Sequence, residues 1–295
     1  MATEFNLVTS TRYDPVNLVE GDRYWLLPLH VNRLKQAAKE HGWTNVKALT
    51  VDEVRLECER AVSEFIDADE TTAFKIRILL SPDGILTATA NATRPLPPLS
   101  NPEFPEIFET PLSYWSETED AEGSNESSKA PQARLPLVSL YIDSQPTPPT
   151  IFTRTKTTNR KHYDEARTRA GLFPMTTASA SSSVANHPAA NTAQPSDCDV
   201  ILFTPESLVS ETSIRNVAFR RTFPSGSIAW LTPPLSTGCL PGVMRRYLLD
   251  QGRIQEARDG DLKKEDVTTG QWVMVFNGVE GVRMGKVMDH ASISR

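Results

Sequence analysis

Apolar and polar positions alternate or recur along most of the chain, and two periods dominate. "FNLVTSTRY" (5–13) has strand composition, and "YWLLPLH" (24–30) reads as a second strand. From His30 to Glu40, Val31, Leu34, Ala37 and Ala38 share one helical face, and Gly42 can stop the helix. "TVDEVRLECERAVSEFI" (50–66) predicts a clearer helix. Val54, Cys58, Ala61, Val62 and Phe65 recur at helical spacing, and Thr50 with Glu53 forms a capping-box pattern. "FKIRILLSPDGILTATA" (74–90) predicts a hairpin that turns at Pro82-Asp83-Gly84.

The later half repeats the mixture. "TIFTRTKT" predicts a strand over 150–157, and "KHYDEARTRAG" a helix with Tyr163, Ala166 and Ala170 on one side. "DVILFTP", "LVSETSIRNVAFRR" and "GSIAWLTPP" are strand-like. "PGVMRRYLLDQG" predicts a helix that opens on Pro-Gly and closes at Gly252, and "QWVMVFNGVEGV" a strand and turn. The fold class expected is α/β or α+β.

Two stretches break the periodicity. Residues 116–133 are acidic and polar, and residues 176–197 are small and polar. Neither can bury enough apolar surface to offset chain entropy, so both are expected as disordered insertions. Between them, "LPLVSLYI" predicts a strand, followed by prolines that suit a stiff linker. The boundary is therefore expected near residue 145, giving a small N-terminal domain (1–145) and a second domain (146–295).

Composition narrows the classes of function. The 295 residues carry a net charge of -6, which argues against a nucleic-acid or anionic-membrane partner. No apolar run approaches the roughly 20 residues of a membrane span, and "MATEFNLVTS" does not read as a secretory signal. The three cysteines are far apart and form no CxxC pair, so a reducing cytoplasm is expected. The histidines fit no metal spacing, and no phosphate-cradling glycine loop, GxSxG or HExxH is present.

Four features remain. Lys156 stands in "RTKTTNR", Glu211 in "LVSETSIRN", a glycine-proline turn in "TGCLPGVMRR", and Arg33 in "HVNRL". Each alone has an ordinary reading as a solvated charge or a turn. Together, in this order, they resemble the class IV aminotransferase family of pyridoxal-phosphate enzymes. "KTTNRKHYDEAR" and "LPGVMRRYLL" are most similar to a fungal form of its aminodeoxychorismate lyase branch. The resemblance runs from "TSTRY" to "FNGVEG" and skips the two insertions.

That resemblance implies a fold-type IV pyridoxal-phosphate enzyme: a small two-layer α/β domain, a larger domain with a mixed sheet or pseudobarrel, and the cofactor in the cleft between them. It also implies roles. Lys156 bonds the cofactor and moves protons, and flanking Arg154 and Arg160 together with desolvation depress its pKa. Glu211 pairs with the pyridine nitrogen. The amides of Val243 and Met244 and the Arg33 guanidinium hold the phosphate. Ser10 or Thr11 supplies a hydroxyl beside the lysine. The implied reaction is elimination of pyruvate from 4-amino-4-deoxychorismate by a cytoplasmic homodimer, giving 4-aminobenzoate for folate synthesis.

Two departures from the family pattern stand out. Met244 occupies a position where many of the transaminases carry threonine. The chain also begins almost directly at "TSTRY", where the family has a preceding strand and turn, which is expected to weaken the first sheet or the dimer contact. A branched-chain or D-amino acid transaminase, and a non-catalytic relative, stay open as alternatives.

Overall fold

A computed structural model describes residues 5–18, 23–46, 49–65, 69–94, 137–175 and 197–289. Strand β1 (Leu7–Tyr13) opens the small domain. The stretch read as a second strand is instead a helix start. Leu26 adopts a left-handed φ of 54° as N-cap, and α1 runs from Leu27 to Glu40. Pro28 sits in the first turn, where the missing N–H costs no helical bond, so it begins the helix rather than ending a strand. Helix α2 (Val51–Ser63) has the expected capping box: Thr50 accepts from the Glu53 amide, and the Glu53 side chain accepts from the Thr50 amide. Phe65 lies beyond its end and is exposed. Strands β2 (Phe74–Leu80) and β3 (Leu86–Ala92) form the hairpin, with Gly84 at φ 82° in the turn.

These three strands make an antiparallel sheet in the order β1-β2-β3. One face carries Leu7, Ile76, Ile78, Leu80, Ala88 and Ala90, packed against Leu27, Val31, Leu34, Val54, Cys58 and Ala61 of the two helices. Each fully buried Leu, Ile or Val contributes about 1.5–3 kcal/mol relative to exposure. The opposite face of β1 and β2 carries Ser10, Arg12, Lys75 and Arg77 in register: Ser10 pairs with Arg77, and Arg12 with Lys75.

Strand β4 (Val138–Ile142) precedes the expected boundary near residue 145, yet it pairs in the second sheet. Where a strand was expected at 150–157, Ile151–Arg154 form a single helical turn, α3. It is held by a Thr150–Thr153 capping box. Helix α4 (Lys161–Arg169) follows as expected, with Tyr163, Ala166 and Ala170 buried. Then come β5 (Cys198–Phe203), β6 (Val209–Thr212), β7 (Asn216–Thr222), β8 (Ile228–Thr232), α5 (Val243–Asp250), β9 (Gln255–Glu256), β10 (Trp272–Asn277) and β11 (Gly281–Val287).

The second sheet has eight strands in the order β6-β5-β4-β11-β10-β7-β8-β9 and is mixed. β4 runs parallel to β5 and β11, while β10 is antiparallel to β7 and β11. β6 and β7 are joined by a tight turn, with the Thr212 amide on the Arg215 carbonyl at 2.8 Å, although they stand far apart in the strand order. That connection curls the sheet. Val138, Leu140, Ile201, Val217, Phe219, Val273 and Val275 fill one face. The other face receives α4 against Val200 and Leu202, and α5 against Ala218, Met274 and Phe276. The expected disordered stretches lie outside the described residues, except that Asp197 is buried and paired with Arg283 at 3.0 Å.

Candidate active site

Lys156 follows α3 in an extended stretch that docks on the free edge of β1. Its carbonyl accepts from the Val8 amide at 2.8 Å, and Thr157 bridges to Leu7. Its amine is pushed well below the ordinary lysine range, first by burial, then by Arg160 and Arg33. Glu211 opposes the shift, and Lys75 adds a little to it. The expectation of flanking cations is met by Arg160 but not by Arg154, which is exposed; Arg33 of α1 takes that place.

Arg33 donates to the Thr9 hydroxyl, and Thr9 also bonds His30 Nδ1 at 2.6 Å. Burial lowers the Arg33 pKa to about 10, against the pull of Glu211. Burial, with Arg33 and Lys156 nearby, holds His30 neutral. Arg33 Nε, His30 Nε2 and Arg160 Nε are buried without a hydrogen-bond partner among the described residues. Orphaned buried donors of this kind are open to an anion or polar ligand, though His162 Nε2, Thr232 Oγ1 and Arg245 Nε are orphaned among the described residues as well. The His30 ring lies against Gly278, where an added Cβ would come within 2.8 Å of it.

Glu211, in β6, is buried. The Tyr163 hydroxyl donates to its Oε1 at 2.7 Å, the Leu240 amide donates to the same oxygen at 3.2 Å, and Asn216 Nδ2 reaches Oε2 at 3.4 Å. Burial raises its pKa to about 7, because desolvation outweighs the hydrogen bonds that favour the carboxylate. Asn216 also donates to the Leu240 carbonyl at 2.9 Å and so ties β7 to the turn before α5. Gly242 is the N-cap of α5 without a side-chain cap. A Cβ there would sit 1.9 Å from Asn216 Oδ1, so only glycine fits. The first amides of α5, those of Val243 and Met244, therefore form a helix N-terminus next to the Glu211 cluster. The Met244 side chain is turned into the core, so its backbone alone faces the turn.

Electrostatic reach joins four of the expected site residues, Lys156, Arg33, Glu211 and, in sequence with the lysine, Arg160. The two hydroxyl candidates part ways. Thr11 donates to the Trp25 carbonyl at 2.7 Å, at the junction between β1 and α1. Ser10 lies on the opposite face of the strand, with its carbonyl near Gly278. The hydroxyl held between Arg33 and His30 is Thr9, which sequence reasoning missed. Tyr163 was also missed, being read only as a packing residue. The signals were present: Thr9 and Thr11 share a strand face toward α1, and a tyrosine on a buried helix face needs a partner for its hydroxyl. Among the described residues, no group of His, Cys, Asp and Glu could hold a metal ion, and no helix is long and apolar enough to cross a membrane.

Residues 176–286 match the amino-transferase class IV family. An aminodeoxychorismate lyase of Saccharomyces cerevisiae is 39% identical over 148 residues, half of this chain, and the matched part spans only 36% of that relative. A putative aminodeoxychorismate lyase of Schizosaccharomyces pombe is 29% identical over 287 residues, 96% of this chain and 89% of that one. A hypothetical aminotransferase of Mycobacterium tuberculosis, solved in a form bound to pyridoxal phosphate, superposes with a TM-score of 0.56 at 13% identity over 97% of this chain and 81% of that one. The two-sheet architecture is the fold-type IV arrangement of the aminotransferases.

Proposed function

We propose that this chain, whose residues 176–286 match the amino-transferase class IV family, is a pyridoxal-phosphate-dependent aminodeoxychorismate lyase. It would cleave 4-amino-4-deoxychorismate to 4-aminobenzoate and pyruvate, as a cytoplasmic homodimer supplying folate synthesis. The observation that carries the reading is that a buried amine, Lys156, whose pKa is pushed well below the ordinary lysine range, lies within electrostatic reach of a buried carboxyl, Glu211, and of Arg33 and Arg160, each with a buried nitrogen that has no partner among the described residues. The similarity to the two yeast lyases supports this reaction over transamination, and so does methionine in place of a phosphate-facing threonine at position 244.

The residues fit the cofactor. Lys156 would bond it, Glu211 would face its ring nitrogen, and Arg33 with the Val243 and Met244 amides would hold its phosphate. Gly242 lets the start of α5 pass close to the Asn216 side chain, which bonds Glu211. When bound, pyridoxal phosphate supplies an electron sink next to the substrate amine.

The chain's own groups account for the rest. Lys156 would take the proton from the ring carbon bearing the substrate nitrogen, a role that burial and the cations around it favour by pushing its pKa below the ordinary lysine range. The carbon–oxygen bond to the enolpyruvyl group at the neighbouring carbon then breaks, and its departure aromatises the ring. The enolpyruvate receives a proton and becomes pyruvate. Protonated Lys156 is one donor for that step, and a hydroxyl of the site is the other: Ser10 or Thr11 by the family resemblance, Thr9 by its contacts here. Tyr163 and the Leu240 amide hold Glu211 in one orientation through both of their bonds to Oε1.

The test is product stoichiometry. Purified protein loaded with cofactor and given 4-amino-4-deoxychorismate should release one pyruvate per 4-aminobenzoate, with no keto acid required. Turnover of an amino acid with 2-oxoglutarate, without release of 4-aminobenzoate, would replace the lyase with a transaminase.

A further inference from the structure

The segment bearing Lys156 is fixed from the small domain, and one of its fastenings is a side chain outside the site. Along the β1 edge, the Val8 amide donates to the Lys156 carbonyl, the Thr158 amide donates to the Asn6 carbonyl at 2.9 Å, and the Asn6 amide donates to Thr158 Oγ1 at 3.0 Å. These bonds hold the residues from 156 onward. The residue before the lysine, Thr155, is held separately. His41, the C-cap of α1, places Nε2 2.8 Å from Thr155 Oγ1, across 114 residues of sequence.

The direction of that bond follows from the hydroxyl's other contact. Thr155 Oγ1 lies 2.6 Å from the Ile151 carbonyl, which can only accept, so the single hydroxyl proton goes there. The hydroxyl then accepts from His41, which must carry its proton on Nε2. The imidazole stands among three rings, Phe5 (centroids 4.9 Å apart), Phe152 (5.7 Å) and Trp43 (5.9 Å). Phe5 and Phe152 meet edge-on at 5.2 Å, which links the small domain to α3 directly. Burial among these rings lowers the His41 pKa. The neutral ring with Nε2–H is thus the form the surroundings favour.

We propose that His41 is a positioning residue for Lys156. By donating to Thr155 it locks the turn from α3 into the lysine strand and so holds the amine in its place near Arg160 and Arg33. The proposal rests on Lys156 being the cofactor-bearing amine, and it assigns His41 no contact with cofactor or substrate.

Two substitutions separate the hydrogen bond from packing. His41→Phe keeps a ring in the aromatic box and removes the donor, while His41→Gln keeps an N–H near the Nε2 position. The readout is the rate at which the cofactor-free protein captures pyridoxal phosphate at Lys156 across a pH series. Capture is trapped with borohydride at timed intervals and quantified by peptide mass. His41→Phe should slow capture at neutral pH about three- to tenfold, the worth of one hydrogen bond, and shift the pH of half-maximal rate upward. His41→Gln should restore most of the wild-type profile. Thr155→Val, which removes the acceptor instead, should reproduce the His41→Phe profile and replaces it if that variant does not fold.

A wild-type profile in His41→Phe or Thr155→Val would overturn the proposal. So would a His41→Gln variant as slow as His41→Phe, since packing would then explain the effect. Wild-type protein that captures the probe elsewhere than Lys156 would overturn the cofactor assignment itself, and the positioning role with it.

Discussion

Two buried polar regions lie close together in this molecule and are built on opposite rules. In one, charges are matched. Arg215 bonds Asp199 at 3.0 Å and Glu280 at 2.7 Å, and Arg283 bonds Glu280 at 3.1 Å and Asp197 at 3.0 Å. Arg12 reaches across from β1 to the Val279 carbonyl at 2.8 Å. In the other region, around Lys156, cations face cations, and three buried nitrogens have no partner among the described residues. Burial disfavours charge in both. At the Arg215–Glu280 pair it loses: Glu280 and Asp199 leave Arg215 with a raised pKa, and Arg215 and Arg283 hold Glu280 below the usual carboxylate range, while at Arg12 burial still lowers the pKa. In the unmatched region it wins, depressing Lys156 and raising Glu211 to about 7. Burial therefore leaves ion pairs charged in one place and lowers the pKa of an amine in the other. What differs is whether counter-charges are supplied.

The largest effect expected from breaking this contrast is at Lys156. Lys156→Ala should abolish 4-aminobenzoate release, and the loss should show in single-turnover assays with a large excess of enzyme. Next comes Glu211→Gln, which keeps the size of the side chain and removes its charge. Turnover should fall by orders of magnitude. Cofactor affinity should fall about ten- to a hundredfold at most, the worth of one charged hydrogen bond of roughly 1.5–3 kcal/mol. Near-normal turnover in this variant would remove Glu211 from the mechanism.

In the matched region the effect moves to stability. Arg215→Leu leaves Asp199 and Glu280 buried without their shared partner and should cost about 3–5 kcal/mol in denaturant unfolding. A variant that keeps its stability but loses activity would erase the distinction between the two regions.

The smallest effect is a pH slope. Glu211 has a folded pKa of about 7, raised from 4.5. Below 4.5 the group is protonated in both folded and unfolded chains and is neutral to stability. As pH rises toward 7, the unfolded chain releases the proton and the folded one keeps it, so cofactor-free protein loses stability. The loss from this group approaches about 3 kcal/mol. Glu211→Gln should remove that part of the slope, so cofactor-free variant should be the more stable of the two at pH 8. Parallel stability curves for variant and parent between pH 5 and 8 would contradict the assigned burial cost.

Much of this was legible in the chain because the signals were local. The Thr50–Glu53 capping box, the Gly84 turn, and the helices at 161–169 and 243–250 each rest on residues within one or two turns of one another. The resemblance that singled out Lys156, Arg33 and Glu211 was itself a set of short motifs. Pairing at a distance was not legible. The strand at 138–142 reads as an ordinary strand, and nothing within it says that its partners are residues 198–201 and 285–287. Pro28 punctuated the chain in a way that fits a strand end as well as a helix start, and the left-handed Leu26 that decides the matter carries no residue signature. Arg12 meets Val279 over 267 residues, and Tyr163 meets Glu211 over 48. Only the fold makes these neighbours.

The central claim is that the unmatched region holds one reactive, uncharged amine. It is tested most directly by adding pyridoxal phosphate to cofactor-free wild-type protein at neutral pH, reducing with borohydride and mapping the modified peptides by mass. The account predicts one adduct per chain, on the peptide containing Lys156. Adducts spread over exposed lysines such as Lys161, with Lys156 unmodified, would contradict it.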